Sequence, residues 1–177
     1  NYGDKTIEKI DIFNYVYAIL HNPAYRKKYE INLQLEFPRI PLYKDFYNWV
    51  AWGKQLMNLH LDFENVEKYH LQRIDVNSEK IRKVITPKLR AKKEKGIIEI
   101  DTLTTLKGVP EEVWEYKLGT YSAMGWVLDR YKEKKPRYET IRKKFDNYKF
   151  ADYKEQVIDL LMRVCTVSVE TVRIMKE

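Results

Sequence analysis

The segment Leu20–Leu42, LHNPAYRKKYEINLQLEFPRIPL, constrains this chain more than any other. Asn22 precedes Pro23, and a proline ring pushes the residue before it out of the α region. A helix reaching this point must stop, and Pro23 suits the first position of the next one, where its missing N–H is not needed. Farther on, Phe37-Pro38-Arg39-Ile40-Pro41 contains two fixed φ angles and reads as an extended strut, with Arg39 held between them. Between break and strut, Tyr25, Arg26, Lys27, Lys28 and Tyr29 place two rings and three cations on one helical turn. One long helix cannot run through such a stretch, so the chain must fold back on itself here.

Hydrophobic periodicity fills in the rest. Ile12, Phe13, Val16, Tyr17, Ile19 and Leu20 recur at helical spacing, which predicts a helix over Ile10–Leu20 with Asp11 as its N-cap. A short helix follows over Pro23–Leu35. Lys44–Leu61 carries Phe46, Trp49, Val50, Trp52, Leu56, Met57 and Leu59, which predicts a long, largely buried helix. Gly53 inside it costs about 1 kcal/mol relative to alanine, so a neighbouring element is expected to approach closely there. From His70 to Leu106 the texture changes to alternation and β-branched residues, with a hairpin expected through Glu94-Lys95-Gly96. Glu111–Tyr116 reads as a short helix with acidic residues in its first turn. After a break at Leu118-Gly119-Thr120, Ser122–Lys132 reads as a helix burying Met124, Val127, Leu128 and Tyr131. Lys134–Lys149 reads as a polar, basic loop, and Tyr153–Met175 as a strongly apolar helix. The expectation is an α+β fold, mainly helical, with a small antiparallel β-sheet in the middle. It is read as a single domain over 1–177, with a basic β-rich middle at about 67–107.

Most function classes find no support. There is no GxxxxGK[ST] phosphate loop, no GxGxxG after a strand and no GxSxG elbow. His21, His60 and His70 lack the spacing of a metal site, and are read as core or capping histidines. Cys165, the single cysteine, sits on an apolar face and reads as an inert buried thiol. With one cysteine there is no disulfide framework, and a reducing cytoplasm is the expected setting. No apolar run of about 18 residues exists to span a membrane. Asp129-Arg130 and Glu99/Asp101 read as ion pairs or solvated faces. The chain starts at Asn1 without a methionine and is read as a piece of something longer.

Charge is more informative. The 177 residues carry a net charge of +7, which favours an anionic partner. Lys80, Arg82, Lys83, Lys88, Arg90, Lys92, Lys93 and Lys95 fall in one run. Arg130, Lys132, Lys134, Lys135, Arg137, Arg142, Lys143 and Lys144 fall in another. Together these are 16 of the 33 lysines and arginines. Either run alone could be a solvated loop; both together suit a surface that tracks phosphates and releases their counterions. Lys83, Lys88, Arg90, Lys92 and Lys93 would meet a nucleic acid from the sheet side, and Arg137, Arg142 and Lys143 from the loop side. Tyr121 and Ser122, at the break, are further candidate contacts. Thr102, Thr104 and Thr105 could add contacts but fit ordinary β-propensity. Trp49, Trp52, Trp114 and Trp126 are assigned to the core, and Tyr25, Tyr29 and Tyr138 are read as structural before they are read as phosphate ligands. Arg26 and Arg39 are assigned to bracing the helices or a domain junction.

Four segments resemble the C-terminal specificity region of type ISP restriction–modification enzymes, in that family's order. They are DIFNYVYAILHNPAYRKKYEINLQLEFPRIPL from Asp11, GKQLMNLHLDFE from Gly53, YKLGTYSAMGWVLDRYKEK from Tyr116 and LLMRVCTVSVETVRIM from Leu160. These are bacterial single-chain enzymes joining nuclease, helicase-like ATPase, adenine methyltransferase and target-recognition domains. The resemblance implies a module that recognises a short asymmetric sequence in double-stranded DNA and positions it for the methyltransferase. Methyltransferase and helicase-like domains would lie upstream in cis. S-adenosylmethionine, ATP and Mg would be bound there and not in this chain, whose sequence lacks the NPPY, ATPase and nuclease motifs. Two positions depart from the family pattern: Tyr121 stands where an arginine is common, and Gly125 where a glutamate is common. The variable middle, Glu67–Thr105, is where the resemblance would put sequence reading. A structural coupling module without DNA readout, and an RNA-binding domain of a different enzyme, are the competing readings.

Overall fold

The computed structural model describes residues 6–77, 85–133, 137–145 and 148–176. They form two compact units, one of residues up to Phe63 together with those from Arg173, the other spanning Glu64–Val172.

The first unit holds α1 (Lys9–His21), α2 (Pro23–Lys28), α3 (Glu30–Leu35) and α4 (Phe46–Leu61). Its N-terminal signal differs from the expected one. Glu8, not Asp11, is the N-cap of α1, and Asp11 accepts the Glu8 N–H at 3.0 Å from one turn in. Asn22 ends α1 and starts α2, its side chain accepting the Tyr25 N–H at 2.9 Å with Pro23 next in line. The single helix expected over Pro23–Leu35 is interrupted at Tyr29, whose φ of −112° and ψ of 21° leave the helical region. In α4, Gly53 meets Asn14 of α1: a Cβ built there would stand 1.8 Å from the Asn14 carbonyl oxygen. That contact is the close approach its sequence position predicted. Phe46, Gly53 and Leu56 are the buried residues of α4, so the helix is half-buried rather than largely buried. Tyr15, Ile19, Tyr25 and Phe46 form the centre of this unit.

Two tyrosine hydroxyls hold the proline strut. Tyr15 Oη donates to the Pro41 carbonyl at 2.7 Å and accepts the Tyr43 N–H at 2.7 Å. Tyr25 Oη donates to the Arg39 carbonyl at 3.0 Å. A prolyl nitrogen has no proton to give and extended backbone bonds nothing internally. Side chains from the helices supply the partners instead, each bond contributing about 1 kcal/mol.

The second unit is built on a four-stranded antiparallel sheet in the order β1-β4-β3-β2, with β1 Gln72–Asp75, β2 Pro87–Lys92, β3 Ile97–Asp101 and β4 Thr104–Lys107. The expected hairpin is there: a short 3-10 turn, Lys93–Lys95, and Gly96 at a φ of 58° join β2 to β3. A second, two-stranded ribbon of β5 (Lys117–Leu118) and β6 (Tyr121–Ser122) occupies the predicted break and turns at Gly119. It feeds α5 (Ala123–Arg130), whose cap is the Ser122 hydroxyl accepting the Gly125 N–H. The chain closes with α6 (Glu139–Phe145) and α7 (Phe150–Lys176). Leu89, Ile98, Ile100 and Leu106 of the sheet, Met124, Val127 and Leu128 of α5, and Phe150, Val157, Leu161 and Cys165 of α7 share one core. The α+β expectation with a central antiparallel sheet holds.

Three further expectations need correction. Glu111–Trp114 is a 3-10 turn and not an α-helix. The segment expected to be a loop contains α6, which carries a Glu139–Lys143 pair at 3.6 Å. A helix of only seven residues is too short to show a clear apolar period. Trp126 is 50 % exposed, because the buried face of α5 falls on Met124, Val127 and Leu128 instead.

Candidate nucleic-acid interface

Strand alternation sends neighbouring side chains to opposite faces of the sheet. Leu89, Ile98, Ile100, Thr104 and Leu106 are buried, so they define the inner face. Lys88, Arg90, Lys92, Ile97, Glu99, Thr105, Lys107, Gln72 and Ile74 fall on the other. Register then arranges this outer face in rows. Arg90 on β2 faces Glu99 on β3, which faces Thr105 on β4, which faces Ile74 on β1. One step along, Lys92 faces Ile97, which faces Lys107, which faces Gln72. A bulge between Pro87 and Arg90 adjusts β2, and Leu89 takes a φ of 40° there while remaining buried. A leucine in that left-handed region costs about 1–2 kcal/mol; burial of its side chain in the core, worth a similar amount, offsets it.

Glu99 is the centre of the face. Its Oε1 lies 2.9 Å from Lys92 Nζ and 3.8 Å from Lys88 Nζ. The hydrogen bond from Lys92 is the main reason its carboxyl sits below the usual range, with Lys88 and Arg90 adding to it against the cost of burial. The outer face is thus a cationic patch with one ionised carboxylate inside it.

The inner face is pinned to α7 by a polar network. Lys154 Nζ is 2.8 Å from Asp101 and 2.6 Å from the Thr104 hydroxyl, which donates to Asp75 at 2.6 Å. Burial pushes the Asp101 carboxyl up, but Lys154 and the N–H groups of Leu103 and Thr104 outweigh it and leave it lowered. Arg73 grips Glu155 through both terminal nitrogens, at 2.6 and 2.9 Å. The buried Thr104 hydroxyl is spent inside this network, and the Arg73 guanidinium, though solvent-exposed, is already held by Glu155 and Asp75.

The family model for the type ISP C-terminal specificity domain matches residues 1–160. The chain belongs to this family. Solved structures similar to it include the following three. A cryo-electron microscopy structure of a DrdV–DNA complex shares 53 % identity over 99 % of this chain, with a TM-score of 0.89. A nuclease-deletion mutant of the type ISP restriction-modification enzyme LlaGI, in complex with a DNA substrate mimic, shares 31 % identity over 97 %, with a TM-score of 0.74. The ATP-dependent type ISP restriction-modification enzyme LlaBIII, bound to DNA, shares 25 % identity over 97 %, with a TM-score of 0.75. This chain spans only 18 %, 16 % and 11 % of those three chains. The comparison with curated proteins returned no match.

Within this specificity domain the sequence-predicted residues separate into groups. Lys88, Arg90 and Lys92 come together on the outer sheet face. Lys93 does not join them: its ammonium lies 5.1 Å from the centre of the Trp114 ring, in a cation–π contact. Arg137 is exposed just before α6, and Lys143 is exposed on that helix. Lys83 lies outside the described residues, and of Arg142 only its place in α6 is described. Tyr121 is 60 % exposed on β6, whereas Ser122 is buried with its hydroxyl spent on capping α5. Arg26 is half-buried on α2. The Arg39 side chain is 93 % exposed, beside Glu36 at 3.7 Å; the carbonyl of Arg39, not its guanidinium, ties the strut to Tyr25.

Sequence reasoning missed Lys107, Gln72 and the central place of Glu99. Lys107 and Gln72 lie outside both cation runs, and only register brings them to the patch. Among the described residues no cluster of His, Cys, Asp and Glu could hold a metal ion, and no helix is long and apolar enough to cross a membrane.

Proposed function

We propose that this specificity domain recognises a short sequence in double-stranded DNA, with the outer face of its four-stranded sheet as the reading surface. The observation that carries the proposal is the row of Lys88, Arg90 and Lys92 on β2, with Lys107 two strands away on the same exposed face, backed by a packed core. Phosphates would be met by the lysines, with counterion release supplying affinity. Arg90 has the forked donor geometry that reads guanine in the major groove, which a lysine matches less selectively. Arg137, Arg142 and Lys143 would add backbone contacts from the α6 segment, and Tyr121 one from its ribbon; Lys83 would extend the sheet-side set. All three similar structures are of DNA-bound enzymes, which supports the same reading.

The domain would act as the specificity part of a restriction–modification enzyme whose adenine methyltransferase, helicase-like ATPase and nuclease lie elsewhere in a longer protein. S-adenosylmethionine, ATP and Mg would be bound by those parts. A base flipped into the methyltransferase pocket would be selected by where this domain sets the duplex. A reducing cytoplasm fits a DNA-acting enzyme with one buried cysteine. A coupling role suits the first unit: Ile31, Leu35, Phe37 and Leu42 are 72 %, 79 %, 96 % and 85 % exposed, an apolar set that would dock on the methyltransferase or motor.

Binding-site selection from random duplexes with the full-length protein tests the proposal. One short asymmetric motif is expected, with duplex preferred over structured RNA in competition. Recovery of no motif, or preference for the RNA, contradicts it.

A further inference from the structure

We propose that Glu99 and Arg90 together read a single G·C base pair, Arg90 on the guanine and Glu99 on the amino group of its cytosine. The inference rests on the DNA-reading role of the outer sheet face and names the residues that specify within it.

A carboxylate on a surface that meets phosphates is a liability unless a donor on the DNA rewards it. Glu99 is directly opposite Arg90 in the β2–β3 register, and opposed side chains on one face stand roughly 5 Å apart at their Cβ atoms. The Lys92 hydrogen bond and the Lys88 pair both fall on Oε1, and among the described residues Oε2 takes no hydrogen bond. Among the same residues the Arg90 guanidinium makes no hydrogen bond or ion pair, so its fork is available. An ionised carboxylate only accepts and a guanidinium only donates. In the major groove, guanine offers N7 and O6 as acceptors, and its cytosine offers the N4 amino group as donor. A donor-only and an acceptor-only side chain, adjacent and exposed, match that edge. Thymine O4 or guanine O6 beside Glu99 would set acceptor against acceptor. The lysines on either side lower the repulsion between Glu99 and the flanking phosphates.

The test is binding-site selection on the full-length protein in three forms: unaltered, Glu99→Gln and Arg90→Lys. Glutamine keeps the shape of Glu99 but pairs best with adenine, and lysine loses the bidentate fork. Both variants should lose tenfold or more of the preference at one and the same base pair, with Glu99→Gln shifting the cytosine there toward adenine. The remaining positions of the motif should be retained. A motif unchanged in both variants, or changes at two different base pairs, overturns the pair assignment while the unaltered protein still selects its motif. Failure of the unaltered protein to select any motif overturns the DNA-reading face itself, and this inference with it. Should one variant fold poorly, the other still decides whether a G·C position depends on this pair.

Discussion

At the scale of single residues, Gly53 shows how a weak local signal becomes a strong global one. In an isolated helix, Gly53→Ala would stabilise by about 1 kcal/mol. Here the added Cβ would stand 1.8 Å from the backbone oxygen of Asn14, which cannot swing away as a side chain could. Overpacking of this kind costs typically 1–3 kcal/mol, and with backbone on both sides it overrides propensity. Gly53→Ala should therefore lower stability by at least about 1 kcal/mol, seen as a lower denaturant midpoint; an unchanged or raised midpoint would show that the helices separate freely. That contact was legible because a glycine inside an otherwise apolar helix needs a reason. The Lys154–Asp101–Thr104 network was not legible. Its members are far apart in sequence, and each alone looks like an ordinary surface residue.

The elements of the first unit contain a pH-sensitive packing contact. Tyr17 and His21 on α1 meet His60 on α4, with Tyr17 Oη 2.7 Å from His60 Nδ1 and the two imidazoles 5.2 Å apart. Burial, with His21 adding repulsion, lowers the His60 pKa from 6.5 to about 4, and burial lowers that of His21 too. The unfolded chain therefore binds protons more readily than the folded one between these values. The stability from neutral histidines is fully present above pH 6.5 and is lost as pH falls toward 4. By proton linkage the loss between pH 7 and 5 is on the order of 1–2 kcal/mol. Amide protection factors in α1 and α4, taken relative to the intrinsic exchange rate at each pH, should fall as pH drops over that range, and His60→Gln should flatten the dependence; equal profiles for both proteins would refute it. Sequence spacing ruled out a metal motif, but it could not reveal this pairing, which arises because α1 and α4 lie side by side. Helix α6 escaped for a different reason, since seven residues are too few to show a helical period. The strands were readable as β-rich but their register was not, because the Pro87–Arg90 bulge and the pairing of β1 with β4 depend on contacts across the sheet.

For the whole molecule, charge and family pattern pointed to DNA, while geometry decided which cations can act together. The run from Lys80 to Lys95 splits, with Lys88, Arg90 and Lys92 on the sheet face and Lys93 over Trp114. Lys107 joins from outside the run. Conversely, the segment that best marks the family, Leu20–Leu42, belongs to the other unit, where Tyr15 and Tyr25 clamp its strut. The most distinctive sequence is thus framework, and the proposed reading surface would be made of common residues placed by register. The central claim is that the outer sheet face contacts DNA. It is tested most directly by duplex affinity against salt concentration for the unaltered full-length protein and for Arg90→Glu combined with Lys92→Glu. Each lost phosphate contact lowers the slope of log affinity against log salt by about 0.9. The account predicts at least tenfold weaker binding at low salt and a slope shallower by one to two such contacts, with circular dichroism unchanged. Equal affinity and equal slope in a folded variant would contradict it.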